Sequence, residues 1–199
     1  MIVRGTGYVR GNRKAAGTRL AGHFKYIEYR PLGEIESRTS RSIFNKEEDR
    51  VNRKDAVDDV MDHTSSAVNF HKIMLSPGQD EPVEDWKEWT REVMHDLEQH
   101  LGKDLHWYAV EHQNTDHAHV HVVVAGAGEN HDTGKVEPVK LYTHDYQFLR
   151  ESGREHSGYD FYRELDHVNR DLDVQDREES TKIHDLQHDQ FYERGDVDR

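Results

Sequence analysis

The chain has 199 residues, a net charge of −13 and no cysteine. That length suits one domain with an appendage, and the missing thiols exclude disulfides and thiolate metal sites, so any metal must be held by nitrogen and oxygen. No apolar run approaches the ~18 residues of a membrane span, and "MIVRGTGYVRG" lacks the apolar core of a secretory signal, so a cytoplasmic protein is expected.

Charge is unevenly spread. The first thirty residues carry Arg4, Arg10, Arg13, Lys14, Arg19, Lys25 and Arg30 against a single acid, Glu28. A basic arm on an acidic body can grip a phosphate backbone locally while the remaining acid limits indiscriminate binding.

In chain order, "MIVRGTGYV" reads as a short strand whose alternation is blurred by glycine. "KAAGTRLAGHFKYIEYRP" places Ala16, Leu20, Phe24 and Ile27 at helical spacing, and Pro31 stops it. Leu32 to Arg50 is charged and irregular, and a flexible loop is expected there. "RKDAVDDVMDH" predicts a short helix through Ala56, Val57, Val60 and Met61, and "VNFHKIMLSPG" a strand ended by a Ser-Pro-Gly turn. "PVEDWKEWTREVMHDLEQHLG" is the clearest helix, with Trp86, Trp89, Val93, Met94, Leu97 and Leu101 on one stripe and Gly102 as its stop. Two strands follow, "LHWYAVEH" and "AHVHVVVAG", joined by the polar turn "QNTD". "THDYQFLRES" and "YDFYRELDHVNRDL" predict outer helices. From Asp171 the apolar content nearly vanishes, so residues 1–170 are read as one domain and 171–199 as an acidic, disordered tail. The order predicts an α+β fold: an antiparallel sheet with a central histidine-bearing hairpin, and helices packed on its faces. The simplest such sandwich puts the helices on one face only.

The histidines of "DHAHVHVVVAG" set the functional question. Strand geometry sends His119 and His121 to one face and Val120, Val122 and Val124 to the other. The valines want a core, which would leave the imidazoles looking into a groove. His112 ends the preceding strand, and a tight turn would bring it beside the pair. Three convergent nitrogens suit a divalent ion and leave positions open for substrate or water. A polar stripe on the wet face of a sheet is the alternative reading of the same spacing. Glu111 and Asp116 are candidates for orienting an imidazole from behind.

The stretch "EHQNTDHAHVHVVV" resembles the metal-binding motif of conjugative relaxases, the HUH family of single-strand DNA endonucleases, at His112, Asp116, His119, Val120 and His121. The family's usual proline is Ala118 here. "HFKYIEYRP" resembles the family's tyrosine motif at Tyr26, with Tyr29 as a rival, and "HKIMLSPG" its serine motif at Ser76. Read from the residues alone, Ser76 is a strand-ending turn residue. The resemblance implies a metal-dependent transesterase joining Tyr26 to the 5′ phosphate of a nicked strand. Its cation would be Mg²⁺ or Mn²⁺, with Zn²⁺ as the alternative, held by His112, His119 and His121. It also implies single-stranded DNA as substrate, gripped by Arg13, Lys14, Arg19 and Lys25, with accessory DNA-binding or coupling proteins as partners. Two other readings stay open. One is a replication initiator or single-strand transposase, whose tyrosine follows the histidine pair, as Tyr159 or Tyr162 would. The other is a DNA-binding module without turnover.

Overall fold

The computed structural model describes residues 1–29, 41–78, 81–113 and 118–158. Among them, five strands and four helices follow the order β1 (Ile2–Val9), α1 (Arg13–Tyr29), α2 (Arg53–Asp62), β2 (Phe70–Ser76), α3 (Trp86–Leu101), β3 (Lys103–His112), β4 (His119–Asn130), β5 (Val136–Pro138) and α4 (Thr143–Glu155). The sheet runs β1-β2-β4-β3, with β5 added to the far end of β4, and every pairing is antiparallel. This is the α+β fold expected. The second C-terminal helix and the 171–199 tail, with Tyr159, Tyr162 and Asp116, lie outside the described residues.

Helices cover both faces of the sheet, not one. The reason lies in β4, which is apolar at both parities beyond His121. Val120, Val122 and Val124 pack with Ile73, Leu75 and Trp107 against Trp89, Val93, Met94 and Leu97 of α3 and Leu149 of α4. Val123 and Ala125 face the other way, into a second core with Phe70, Tyr108 and Val110 beneath α1 and α2. A strand with apolar residues on both sides is stable only when both sides are dry. The histidines therefore do not look out from an uncovered face; they occupy the polar end of the face that α1 covers.

Helix limits follow local chemistry. Asp85 accepts the backbone N–H groups of Lys87 and Glu88 at 3.0 Å to start α3, and Gly102 ends it in the left-handed conformation at φ 60°. The blurred alternation of β1 is a register shift between Gly5 and Gly7. The loop expected over Leu32 to Arg50 is ordered in its described part. Ile43 and Phe44 are fully buried, and Phe44 exchanges both backbone hydrogen bonds with Ala109 at 2.8 and 2.9 Å. That bridge closes part of the outer edge of β3, which a bare strand would leave open to pairing. β5, only three residues long and ending in proline, had no periodic signal to reveal it.

His71 of β2 is 4 % exposed and donates through Nε2 to the Val139 carbonyl at 2.9 Å, tying β2 to the segment after β5. Burial pushes its pKa below the ordinary histidine value. The unfolded chain therefore takes up a proton, as the pH falls below about 6.5, that the folded chain refuses. Stability from this group is intact above that pH and declines as acid is added. Chemical denaturation at stepped pH should show the decline, and His71→Gln, which keeps a donor but cannot titrate, should flatten it. An unchanged slope in the variant would refute the assignment.

Candidate metal centre and nucleophile

Antiparallel register builds the histidine cluster. His112 lies directly across from His119, and Val110 from His121, so the three imidazoles stand on adjacent positions of one face. Their ring centroids are 4.8, 4.8 and 5.0 Å apart. The Nε2 atoms of His119 and His121 are 3.2 Å apart. Donor atoms bound about 2.1 Å from one ion would sit about 3.0–3.4 Å from each other, a range that this spacing, here a hydrogen bond between the rings, falls within. His112 is fully buried, His119 is 9 % exposed and His121 is half-buried.

The α1 helix lies over these rings. His112 Nε2 donates to the backbone carbonyl of Ile27 at 2.7 Å, near the end of α1, where the residue four positions on is Pro31, which has no N–H to offer. A neutral imidazole protonated on Nε2 carries its lone pair on Nδ1, so this bond selects the tautomer in which Nδ1 can ligate. The orienting group is thus a main-chain carbonyl. Glu111, expected in that role, instead accepts the Gln113 side-chain amide at 3.2 Å. Two nitrogens at contact distance and a third imidazole with its tautomer set fit a divalent cation.

His23, which the sequence reading passed over, stacks edge-on against His121 with centroids 6.1 Å apart. Burial, with the nearby charge of Lys72, lowers its pKa to about 4, so it is neutral at physiological pH. Lys72 pairs with Val123 and therefore shares the histidine face. The spacing His23–Tyr26, one helical turn in "HFKYIEYRP", was the signal available for His23; nothing local marks Lys72.

Both candidate tyrosines are about half exposed, Tyr26 at 54 % and Tyr29 at 52 %. The Arg53 guanidinium of α2 lies 5.4 Å over the Tyr29 ring. Tyr26 follows His23 by one turn, between His23 and Tyr29 on the helix surface. Ser76 is buried, and its hydroxyl donates to the Ala118 carbonyl at 2.8 Å, anchoring the chain just before β4. The same bond fixes the approach to His119 and leaves Ser76 a positional task. Of the four basic residues proposed for DNA, all are exposed, and Arg13 is paired with Asp62 at 2.7 Å. Arg19 stands seven residues before Tyr26, two turns along nearly the same line of the helix.

A family model, the nuclease domain of MobA/VirD2-like relaxases, matches residues 34–155. That span runs from before α2 through α4 and includes His112, His119, His121 and Ser76; α1 and its tyrosines precede it. Comparison with curated proteins and with solved structures gave no match.

Proposed function

The chain belongs to the MobA/VirD2-like relaxases and carries their nuclease domain, and on that premise we propose that it nicks single-stranded DNA through a covalent 5′-phosphotyrosine at Tyr26. One observation supports this most: the hydrogen bond from His112 to the carbonyl of Ile27, the residue after Tyr26. It ties the histidine cluster to the segment of α1 that bears Tyr26.

In this reading His112, His119 and His121 would hold a divalent cation, Mg²⁺ or Mn²⁺ with Zn²⁺ as the alternative. Such an ion polarises a phosphate and offsets the charge that grows on its oxygens. The Tyr26 oxygen attacks phosphorus; the new O–P bond forms as the P–O3′ bond breaks. The phenol proton leaves to solvent, and His23, neutral and one turn away on α1, offers a ring nitrogen that can accept a hydrogen bond from the hydroxyl. The 3′ oxygen departs and gains a proton, giving a free 3′ hydroxyl and a 5′-phosphotyrosine. The ester keeps the energy of the broken bond, so a 3′ hydroxyl can later reverse the step. Arg19, two turns before Tyr26 on α1, and Lys72, on the histidine face of β2, can hold backbone phosphates, while Lys14 and Lys25 extend the basic surface. Mobilisation or rolling-circle processing is the setting such chemistry serves, with accessory DNA-binding or coupling proteins exposing the single strand.

Incubation with a labelled pool of single-stranded oligonucleotides and Mn²⁺ tests the proposal. A denaturant-resistant protein–DNA adduct is expected, abolished by EDTA and reduced about 100-fold or more in the double variant His119→Ala/His121→Ala. Absence of adducts across many sequences would refute nicking and leave a DNA-binding module.

A further inference from the structure

Far from the hairpin histidines, the end of α3 and the start of α4 bring a second set of donors together. His100 Nε2 lies 3.0 Å and His144 Nε2 3.2 Å from the same carboxylate oxygen, Oδ1 of Asp145. Asp145 is 1 % exposed. Its other oxygen accepts the backbone N–H of Tyr142 at 2.6 Å, closing the capping box of α4 and setting the direction of Oδ1. Capping needs only that one oxygen. That two imidazoles from different helices turn to the other one is more than helix initiation requires.

We propose that His100, His144 and Asp145 form a second metal site, selective for a divalent transition ion such as Zn²⁺ or Co²⁺. Asp145 and His100 are held in place by contacts other than the site, and His144 stands at its rim. The His100 ring stacks on Phe148 at 4.1 Å and 11°, and the His144 ring on Tyr142 at 5.7 Å and 11°. The three donor atoms all lie within 4.8 Å of one another. His144, at the rim and 68 % exposed, can swing onto the ion. Two nitrogens and one oxygen favour borderline ions over Mg²⁺ or Ca²⁺, which prefer oxygen alone. The site opens on a groove of about 560 Å³ also lined by Lys103, Lys140 and Tyr142, which leaves room for water or an anion as a further ligand. Without the ion, His100 Nε2–H donates to Oδ1 at 3.0 Å, and His144 Nε2 lies 3.2 Å from the same oxygen. With it, each imidazole ligates through Nε2 and carries its proton on Nδ1, and the end of α3 is clamped to the start of α4.

A third cluster, Asp59, His63 and His106, does not qualify. His63 Nδ1 donates to the Asp59 main-chain carbonyl at 2.8 Å. Its ring stacks on that of His106 at 3.4 Å and 10°, and Asp59 Oδ2 is already engaged by His106 Nδ1 at 3.0 Å and by the Tyr108 hydroxyl at 2.9 Å.

The site does not depend on the nuclease reading. Calorimetric titration of the chelator-treated full chain with Zn²⁺ alone, and Co²⁺ absorption spectra, test it. His144→Ala, at an exposed position, is expected to bind one Zn²⁺ fewer than the wild type and to lose the Co²⁺ absorption of that site. The adduct formed with Mn²⁺ and oligonucleotide should persist in the variant. His100→Ala should repeat the metal loss. Zn²⁺ titrations of both variants that match the wild type would overturn the proposal, as would a wild type whose Zn²⁺ binding vanishes entirely in His119→Ala/His121→Ala.

Discussion

Tyr26→Phe is expected to lower covalent DNA attachment by at least about a thousandfold, while Tyr29→Phe leaves it within a few-fold of wild type. Burial does not separate these two residues, since both are about half exposed. Direction does. A helix turns about 100° per residue, so His23 lies about 40° from the buried Ile27, Tyr26 a further 60° round, and Tyr29 a further 60° again, about 160° from Ile27 and pointing away from the sheet. Through His23 one flank meets His121, and through Arg53 the other side of the helix meets α2. Phenylalanine removes only the hydroxyl, so the fold and the α1 contacts persist while the nucleophile is gone. Denaturing electrophoresis of the oligonucleotide reaction reads the outcome. An adduct that survives Tyr26→Phe would sink the assignment; one lost only on changing Tyr159 or Tyr162 would establish the downstream-tyrosine reading instead.

Gly126→Ala should be the most damaging single methyl added to the fold, costing about 3–5 kcal/mol in urea denaturation. Gly126 sits where β4 leaves β2 and begins to pair with β5. Its N–H donates to the Asn69 carbonyl and its carbonyl accepts from Val139 N–H, both at 2.9 Å. A Cβ there would lie 1.9 Å from the Val68 carbonyl oxygen, 2.6 Å from its carbon and 2.9 Å from the Asn69 oxygen. These are main-chain atoms, which cannot rotate away as a side chain would. Relief means parting the strands and giving up the Asn69 bond. Gly22→Ala supplies the opposite sign: in the exposed interior of α1 its methyl meets nothing within 4 Å, and about 0.5–1 kcal/mol of stabilisation is expected. A Gly126→Ala protein within 1 kcal/mol of wild type would show that this crossing is looser than described.

The elements with a strong period were legible from residues alone. The stripe of Trp89, Val93, Met94 and Leu97 became α3, with Asp85 and Gly102 at its ends, and Ala16, Leu20, Phe24 and Ile27 are the buried face of α1. Both depend on side chains within a turn of one another, and that information is local. Ile43 and Phe44 show the opposite case: two apolar residues in a charged stretch have no period, and only the open edge of β3 gives them a place. His23 and Lys72 were missed for the same reason, because their meeting with the cluster depends on where α1 and β2 lie across the sheet.

Sequence by itself determined the histidine cluster: an alternating pair on a strand and a third at the end of its neighbour, because side-chain period and hairpin register follow from covalent geometry. Only the tertiary structure decided what covers those histidines. The apolar demand of Val123 and Ala125 draws α1 over that face of the sheet, and the unused carbonyl at Ile27 then captures His112. Such a contact joins residues 85 positions apart, a separation across which no local pattern carries information.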